Sequence, residues 1–527
     1  MGPDINIDSI LVLEKQIQED TGDIIQLKRA RNSLLNISAR VPPEILGRIF
    51  RWNVIPEGDF GGLSKGSYNF LLVCHHWFQV ASSTPELWTF WGNTLDQWSR
   101  RYQRSGIAPL DLVLNVPYHL RDANPVSFDG PLRDALRDRV ASDSIRSIHL
   151  QGLGGDLLYS VISSLTLDGN DIRYNSIESL ILESTDLDIS NFLARYRFPK
   201  LRDLRLSTIA RISSWDYLKL QAASLTTLSL EFTAISSTPT SSQLHSILAS
   251  YPNLQNLSLC ESMIPNHVGD GPVFRAPLRC LKRLYLRGGC RHVFRLLDQL
   301  EYPDTLDHVS LGLLECVAES ISGSLAPYLQ DRIRRDHRFQ DRLEIHASSI
   351  PNCISFKFNV VGESDASTTP SRWHRTPSVS FRALFSEAMP QRAGEVLCVS
   401  LITLIPQEHV VGFTGRLSTR AMTDLAATMP NIEDLYLTGL VISDTFLRPD
   451  PPSRTKLLPS LRRLSLGYLT LQNDDWTPLI NYLTHQTSGG QVISLRLCGG
   501  RNLVPPDVAR EIEKLVQEFN LGYPSTW

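Results

Sequence analysis

Two short motifs in this sequence have the residue types of catalytic or cofactor-binding loops. Residues 62–66, Gly-Leu-Ser-Lys-Gly, fit the G-x-S-x-G pattern, in which a serine on a strained turn between a core strand and a helix is a hydrolase nucleophile. The preceding residues 55–61 contain proline and glycine and do not predict that strand, which argues against a catalytic Ser64. Three glycines fall within 152–155, but Leu157 stands where the dinucleotide-binding fingerprint needs glycine. We therefore expect no enzyme activity and no cofactor.

Histidine and cysteine side chains do not fall at the spacing of metal ligands. Cys74, His75 and His76 are successive residues, and successive helix positions lie about 100° apart, so the three side chains cannot converge on one ion. A further group, Cys280, Cys290 and His292, is spaced too loosely to predict a zinc site. The eight cysteines contain no C-x-x-C pair, which favours reduced thiols over a disulfide framework. We expect no metal.

Length and charge limit the class of protein. A chain of 527 residues is too long for one compact core, which predicts several domains or a repeat array. The formal net charge of −3 gives no reason to expect nucleic acid or a membrane surface as a partner. The most apolar stretch, Val396–Ile405, is about half as long as a membrane-spanning helix. The first residues lack the basic and apolar regions of a signal peptide, so we expect a soluble protein that is cytoplasmic, nuclear or both.

Residues 1–36 are predicted to be an amphipathic helical region. Between residues 10 and 37, apolar side chains recur at alternating steps of three and four, as on one face of a helix. Asp20, Gly22 and Arg31 interrupt that face, which disfavours a long coiled coil. The preferred interpretation is one helix or two short helices that pack on the next segment of the chain. Self-association through this region is the alternative.

Three short helices are predicted between residues 37 and 95. Residues 41–44, Val-Pro-Pro-Glu, begin the first, because proline suits the first helical turn and a glutamate favours the positive end of the helix dipole. A glycine-rich loop at 56–67 precedes the second helical run, at 68–81. Thr84 and Pro85 begin the third as an N-cap followed by proline. The third helix is predicted to carry Leu87, Trp88 and Trp91.

The strings VPPEILGRIF at 41–50 and LLVCHHWFQVASSTPELW at 71–88 resemble the F-box, in particular its basidiomycete fungal form. In that form a long loop separates the first two helices and P-x-L-W closes the motif. The continuation at 98–114 is also typical of it. The chain departs from the compact animal F-box by its longer loop at 53–67 and by Gly47 inside the first helix.

The resemblance implies that the module docks on a Skp-type adaptor, which in turn holds a cullin and a RING subunit of a ubiquitin ligase. A helix-in-groove contact of this kind needs an apolar patch that the module itself does not cover. The residues predicted to bind the adaptor are Pro42, Pro43, Ile45, Leu46, Ile49, Val73, Trp77 and Trp88. The opposing interpretation is that Trp77, Phe70 and Ile49 form the small core of the module.

The pattern L-x-x-L-x-L recurs beyond residue 140, with starts about 24 to 36 residues apart, which predicts leucine-rich repeats. Each unit is expected to be one strand, whose leucines are buried only when neighbouring units stack. Intervening stretches such as 244–253 and 423–431 predict helices. The matches begin at Ile145, Ile177, Leu201, Leu225, Leu254, Leu281, Leu306, Val396, Ile432, Leu461 and Val492.

Residues 312–395 depart from the repeat pattern and predict an irregular or disordered insertion. The charge run at 331–338 predicts a solvated helix face. Residues 343–345 and 354–358 alternate like strands and are interpreted as degenerate repeats. The Ser-, Thr- and Pro-rich stretch 362–380 predicts an exposed loop or disorder.

In each repeat strand, the side chain between the paired leucines is expected to point away from the core, onto a concave face. The residues at this position are His149, Ile181, Arg205, Ser229, Ser258, Tyr285, Ser310, Ser400, Tyr436, Ser465 and Arg496. Tyrosine and arginine often carry interface energy. The residues predicted to bind a target protein are Arg205, Arg283, Tyr285, Arg287, Tyr436 and Arg496. The opposing interpretation is that each is an ordinary solvated strand residue.

These features predict an α+β multi-domain protein, in which a helical F-box-like module precedes an irregular α/β leucine-rich-repeat solenoid, or horseshoe. The expected segments are the N-terminal helical region 1–36, the F-box-like domain 37–95, a linker 96–140 and the repeats 141–520. The resemblance implies a non-catalytic substrate adaptor of an SCF-type ubiquitin ligase, acting in ubiquitin-dependent protein degradation on an unknown protein substrate. The alternative is a leucine-rich-repeat scaffold that binds a partner without any ligase.

Overall fold

The computed structural model is a mixed α/β protein with parallel multi-stranded sheets. The chain divides into two compact units, residues 1–236 and 237–527. The structure describes residues 7–19, 27–28, 30–31, 41–54, 69–91, 98–115, 131–141, 143–153, 161, 172–184, 193, 196–208, 215–219, 222–232, 238–261, 263–265, 276–304, 306–316, 324–335, 343–350, 353–360, 378–385, 410–416, 429, 431–438, 441–442, 458–467, 470–471, 475–488, 493–498 and 504–522.

The first unit begins with helices. The α-helices described in full are α1 (Ile7–Glu19), α2 (Pro43–Val54), α3 (His75–Ser82), α4 (Trp98–Ser105) and α5 (Pro131–Ala141). Short 3-10 helices span Asn69–Leu72, Pro85–Trp88 and Trp215–Leu218. Helix α2 confirms the first helix predicted between residues 37 and 95. The second predicted helix is instead broken near Val73, where Cys74 caps α3 by accepting a hydrogen bond from the backbone N–H of Trp77 (3.5 Å).

A parallel sheet follows in the first unit. Its strands are β1 (Phe90–Trp91), β2 (Leu110–Asn115), β3 (Ile145–Leu153), β5 (Ser179–Ser184), β7 (Asp203–Thr208) and β8 (Thr227–Phe232), with a separate short pair, β4 (Ile172–Arg173) and β6 (Tyr196–Arg197). Neighbours in the sheet are β1-β2-β3-β5-β7-β8. Ile148, Leu180, Leu204 and Leu228 lie opposite one another in register, and all are buried. The leucine pattern therefore marks strands whose apolar faces form one continuous interior.

The sheet starts before the first predicted repeat. The segment 96–140, expected to be a linker, contains α4, β2 and α5, and β2 pairs in parallel with β3. Leu110, Leu112 and Leu114 of β2 are buried like the repeat leucines. Trp91, expected on the third helix, lies in β1 instead, because the helix ends at Trp88.

The second unit contains helices α6 (Ser241–Ala249), α7 (Cys290–Gln299), α8 (Ala326–Arg335), α9 (Thr477–Thr487) and α10 (Pro506–Leu515). The predicted helix at 244–253 is confirmed as α6, whose capping box joins Thr240 and Gln243. In the charge run at 331–338 the expectation of a solvated face is wrong for Arg332. Its guanidinium is buried and donates to the carbonyl oxygens of Asp304 and Leu306.

The strands of the second unit are β9 (Asn256–Glu261), β11 (Arg283–Gly289), β13 (His308–Cys316), β14 (Leu343–Ile350), β15 (Cys353–Val360), β16 (Ser378–Phe385), β17 (Val410–Arg416), β18 (Asp434–Thr438), β20 (Arg463–Gly467), β22 (Ser494–Cys498) and β23 (Glu518–Gly522). Two short pairs join β10 (Ala276–Pro277) with β12 (Leu300–Glu301) and β19 (Val441–Ile442) with β21 (Thr470–Leu471). Neighbours in the sheet are β9-β11-β13-β16-β15-β14-β17-β18-β20-β22-β23.

The middle of this sheet departs from the repeat pattern. Strand β15 runs antiparallel to β14 and β16. Residues 343–345 and 354–358 are therefore strands, but the interpretation of 354–358 as a degenerate repeat is wrong, because repeat strands run in one direction. The predicted loop at 362–380 lies outside the described residues except for its end, where β16 begins.

Two repeat matches differ from the others. The match at Val396 and the helix expected at 423–431 lie almost wholly outside the described residues. In the last match, Ile493, Leu495 and Leu497 are buried, and the expected start, Val492, lies outside the described residues. Among the helices that the structure describes, none has the length and apolar character needed to cross a membrane.

Candidate partner-binding surfaces

The helical module has an interior of its own. Phe50 of α2 stacks on Phe70 with ring centroids 4.5 Å apart, and the ring of Trp77 lies 5.0 Å from that of Phe50. The buried members of this cluster are Leu46, Phe50, Val54, Phe70, Val80, Ala81, Leu87 and Trp88. The module thus buries one face of α2 against α3 and the 3-10 helix at 85–88.

Leu46 and Trp88, both expected to bind the adaptor, belong to this interior. Their exposed fractions are 2% and 5%. Trp77 is partly buried and packs on the same cluster. A docking role for Leu46 and Trp88 would require the module to open, so these two residues are placed in the core rather than on the surface. Phe70 and Trp77, which the opposing interpretation assigned to the core of the module, belong to or pack on this cluster.

The other expected adaptor-binding residues are exposed. Ile45 and Ile49 on α2 are 45% and 47% exposed, and Val73 is exposed, as are Pro42 and Pro43. Ile49 is therefore not part of the interior. Ile45 and Ile49 lie on the exposed face of α2, and Leu46 and Phe50 lie on its buried face.

Sequence reasoning missed the most exposed apolar residue of α2. Trp52 is 80% exposed and lies seven residues after Ile45 and three after Ile49. Those intervals place all three side chains on one face of a helix. The spacing was available in the sequence, so the signal was present. We call Ile45, Ile49 and Trp52 the α2 stripe.

Close packing around α2 explains the glycine inside the helix. A Cβ on Gly47 would lie 3.1 Å from Oγ1 of Thr84. The Thr84 hydroxyl donates to the carbonyl oxygen of Val80 (2.7 Å), and its oxygen does not cap the helix at Pro85–Trp88, contrary to the expectation. Gly47 therefore permits a close approach that fixes α2 against the rest of the module.

Helix α4 covers part of the module. The guanidinium carbon of Arg104 lies 4.4 Å from the ring centroid of Trp88, within cation–π range. Arg101 is buried and donates to the carbonyl oxygen of Phe90 (2.9 Å). Both contacts fasten the segment after residue 95 to the helices before it.

The sheet of the first unit presents polar side chains on its face away from the leucines. Val113, His149, Ile181, Arg205 and Ser229 follow one another in register, as expected from the repeat pattern. Arg205 forms an ion pair with Asp203 (Nε to Oδ1, 3.1 Å). His149 is buried, and burial, followed by the positive charge of Arg205, lowers its pKa.

Carboxylates are frequent on this face. Asp111 pairs with Arg146 through two hydrogen bonds, which raise the pKa of Arg146, and it also accepts from Ser147 (3.0 Å). Glu183 and Glu231 lie in one row of the same register. Arg205, expected to bind a target, is thus surrounded by acidic residues of its own sheet.

The second unit places the remaining expected contacts on two groups of strands. Arg283, Tyr285 and Arg287 alternate along β11, the arginines exposed and the tyrosine half-buried. Tyr436 of β18 and Arg496 of β22 lie on either side of Ser465 in one row, next to the ion pair of Asp434 and Arg463. The remaining member of the predicted row, Ser400, lies outside the described residues. Several strands of the sheet therefore separate Tyr436 and Arg496 from the arginines of β11.

The described residues hold no group of histidine, cysteine or carboxylate side chains that could bind a metal. Ser64 and its glycine loop lie outside the described part of the chain. Cys74, Cys260, Cys280, Cys290 and Cys498 are free thiols. No protein-family model matches this chain, and no curated protein matches it.

Proposed function

We propose that this protein is a non-catalytic recruiting subunit of an SCF-type cullin-RING ubiquitin ligase. Its helical module docks on a Skp-type adaptor, which holds the cullin and the RING subunit. The polar faces of its parallel sheets bind the protein to be ubiquitinated. The ligase partners supply the chemistry.

The α2 stripe is the observation that carries this proposal. A helix that buries Leu46, Phe50 and Val54 on one side leaves two isoleucines and a tryptophan exposed on the other. Apolar side chains that share one exposed face commonly mark a protein interaction site. Fully burying each of them in a partner groove contributes about 1.5–3 kcal/mol. Ile45 and Ile49 are already about half buried, so they contribute less than this, and the stripe offsets only part of the cost of association.

The segment after the glycine-rich loop supports the same surface. Leu72 and Val73 are exposed, and the stacking of Phe70 on Phe50 ties their segment to α2. These residues belong to the strings that resemble the F-box. We place the adaptor on the α2 stripe, with Val73 and Leu72 as further contacts.

The arrangement of buried leucines supports a leucine-rich-repeat horseshoe. Leu257, Leu284, Val309 and their neighbours follow one another in register across parallel strands. A parallel connection needs a crossover, and α7 provides one between β11 and β13. Strands of this kind expose one polar row each, which suits an extended recruiting surface.

The full-length chain co-expressed with a Skp-type adaptor tests the proposal. We expect a stable complex on size-exclusion chromatography, abolished by Ile49→Asp. The matched control is Ile107→Asp, because Ile107 is even more exposed but follows α4 and is not part of the α2 stripe. If the wild-type chain forms no such complex, the ligase role is rejected and a scaffold that binds a partner without any ligase remains.

Recruitment is tested separately in cells. Proximity labelling from the full-length protein, with and without a proteasome inhibitor, should reveal proteins that accumulate only when degradation is blocked. With the Ile49→Asp variant, the amount of these labelled proteins should no longer depend on the inhibitor. If the abundance of the labelled proteins changes neither with the inhibitor nor with the Ile49→Asp variant, a role in degradation is contradicted.

A further inference from the structure

Strand β11 carries two arginines and a tyrosine on one face. Arg283, Tyr285 and Arg287 alternate with the buried Leu284 and Leu286, so the three side chains project from the same side of the sheet. Both arginines are exposed, and among the described residues Arg283 forms no ion pair. We call these three residues the β11 strip.

On the strands at either side, the residues in register with the β11 strip include no carboxylate, and Glu261 of β9 and Glu315 of β13 lie outside that register. The register partners are Asn256, Ser258 and Cys260 on β9 and His308, Ser310 and Gly312 on β13. In the first unit, by contrast, the corresponding rows contain Asp111, Glu183, Asp203 and Glu231. The register partners of the β11 strip are therefore neutral or potentially cationic, unlike the acidic rows of the first unit.

We infer that the β11 strip binds an extended acidic segment of a partner protein, with two carboxylate side chains four residues apart. Each carboxylate pairs with one guanidinium, and the residue midway between them contacts Tyr285. Guanidinium and carboxylate match as planar, bidentate partners. The inference rests on the proposed function, because it names the class of target that the recruiting face takes.

The spacing follows from strand geometry. Arg283 and Arg287 are four residues apart on one strand, which puts their Cα atoms about 13 Å apart. An extended segment that runs along β11 repeats the same interval, and its side chains return to the same face only at even spacings. Across the strands, the partners of Arg283 are an asparagine and a histidine, whereas the row of Arg287 continues through Gly312 to Arg382 of β16. Those two arginines are two strand spacings apart, about 10 Å, so the spacing of the glutamates distinguishes a segment that runs along β11 from one that crosses the sheet.

A glycine keeps Arg287 in place. A Cβ on Gly312 would lie 3.0 Å from Cγ and 3.2 Å from Cβ of Arg287, so the stem of the arginine packs directly over the glycine backbone. A side chain at position 312 would therefore displace the stem of Arg287.

Binding of short peptides to the full-length protein tests the inference. Nine-residue peptides of Gly, Ser and Thr carry two glutamates two, three, four or five residues apart, and fluorescence anisotropy measures their affinity. We expect the spacing of four to bind about threefold to tenfold tighter than the odd spacings, as expected for one or two additional exposed ion pairs. Arg283→Glu should remove that preference, and Arg283→Gln should reduce it.

Two matched controls test whether the spacing preference arises from the β11 strip. Arg295→Glu makes the same charge change on α7, whose buried face packs on the leucine side of β11, and should leave the preference intact. The double variant Arg283→Glu, Arg287→Glu should instead prefer a peptide with two lysines four residues apart. Equal affinity for all spacings overturns the inference, as does tighter binding of a phosphoserine peptide or a single-stranded oligonucleotide than of the spacing-four peptide.

The outcome is separable from that of the proposed function. The peptide assay contains no adaptor, and the adaptor complex depends on α2 rather than β11. Loss of the glutamate spacing preference with an intact adaptor complex rejects this inference alone. Absence of the adaptor complex with an intact preference rejects the ligase role and leaves the acidic-segment site standing.

Discussion

The indole Nε1–H of Trp88 donates a hydrogen bond of 2.8 Å to the backbone carbonyl oxygen of Ala81, and both residues are buried. The bond joins the 3-10 helix at Pro85–Trp88 to the last turn of α3. It satisfies the one polar atom of the indole within an apolar interior, as buried tryptophans require. Trp88 thus links the 3-10 helix to α3 within the core of the helical module.

Replacing Trp88 by alanine should destabilise the module. The change removes a buried side chain and its hydrogen bond, at a cost of about 3–5 kcal/mol in the free energy of unfolding. Thermal denaturation followed by circular dichroism measures the loss. Trp52→Ala is the matched control, and its effect should stay within about 0.5 kcal/mol because the side chain is 80% exposed. Equal destabilisation by the two variants would show that Trp88 is not an internal anchor.

Trp52 should instead matter for adaptor binding. If the α2 stripe enters a groove of the adaptor, Trp52→Ala removes a large part of the buried area and weakens the complex by about tenfold or more. Isothermal titration calorimetry of the full-length chain with the adaptor checks this. Leu11, an exposed apolar residue on α1, provides the control through Leu11→Ala. An unchanged affinity for Trp52→Ala would remove this residue from the interface.

The spacing of apolar residues in the sequence predicts part of the structure of the helical module. The apolar residues at 45, 46, 49 and 50 predict a helix with a broad apolar face, and α2 confirms it. Periodicity cannot tell which half of that face is covered, because Phe70 and Trp88, from elsewhere in the chain, decide it. Ile45 and Ile49 stay outside while Leu46 and Phe50 are enclosed, a division set by tertiary packing alone.

The sheets illustrate a second limit. Buried leucines identify most described strands of the parallel sheets, because each strand must hide one face. Strand β17 was missed because Phe413 and Gly415 occupy the places of its paired leucines. The reversed direction of β15 was missed because alternation of apolar residues is the same in both directions. Direction is decided by the connections between strands.

Acid should destabilise the first unit through His149. Burial, reinforced by Arg205, lowers the pKa of His149 in the folded state, so the unfolded chain takes up the proton first. The contribution of neutral, buried His149 to the free energy of unfolding is fully present above the unfolded-state pKa of about 6.5. It is lost as the pH falls below that value. Urea denaturation between pH 8 and 5 measures the effect.

The difference in the free energy of unfolding between the wild type and His149→Leu, measured across this pH range, separates the effect of His149 from that of other groups that titrate in acid. Leucine fits a position whose register partners are Val113 and Ile181, and no hydrogen-bond partner of the buried His149 Nε2 is found among the described residues. The variant should match the wild type at pH 8 within about 1 kcal/mol and lose less stability at pH 5. Parallel pH profiles for the two proteins would mean that His149 does not titrate on unfolding.

Gly312→Val should affect Arg287 without changing any charge. The new side chain would overlap the stem of Arg287, because even a Cβ at position 312 lies 3.0 Å from its Cγ. Displacement of the arginine should cost about 1–3 kcal/mol of stability and weaken the spacing-four acidic peptide by about threefold. Urea denaturation and fluorescence anisotropy measure the two effects. Ser229→Val, on a strand of the first unit, is the control for adding a branched side chain to a sheet face.

A double-mutant cycle separates the clash from other effects of the substitution. In the Arg287→Ala background the Cγ that lies 3.0 Å from the new Cβ is gone while the Cβ at 3.2 Å remains, so Gly312→Val should cost about 1 kcal/mol less than it does in the wild type. The coupling arises because the two positions are register partners on β11 and β13. Additive costs would place the overlap elsewhere and remove Gly312 as the residue that positions Arg287. A positive coupling, together with weaker binding of the acidic peptide, makes the glycine part of the recruiting surface through the arginine that it supports.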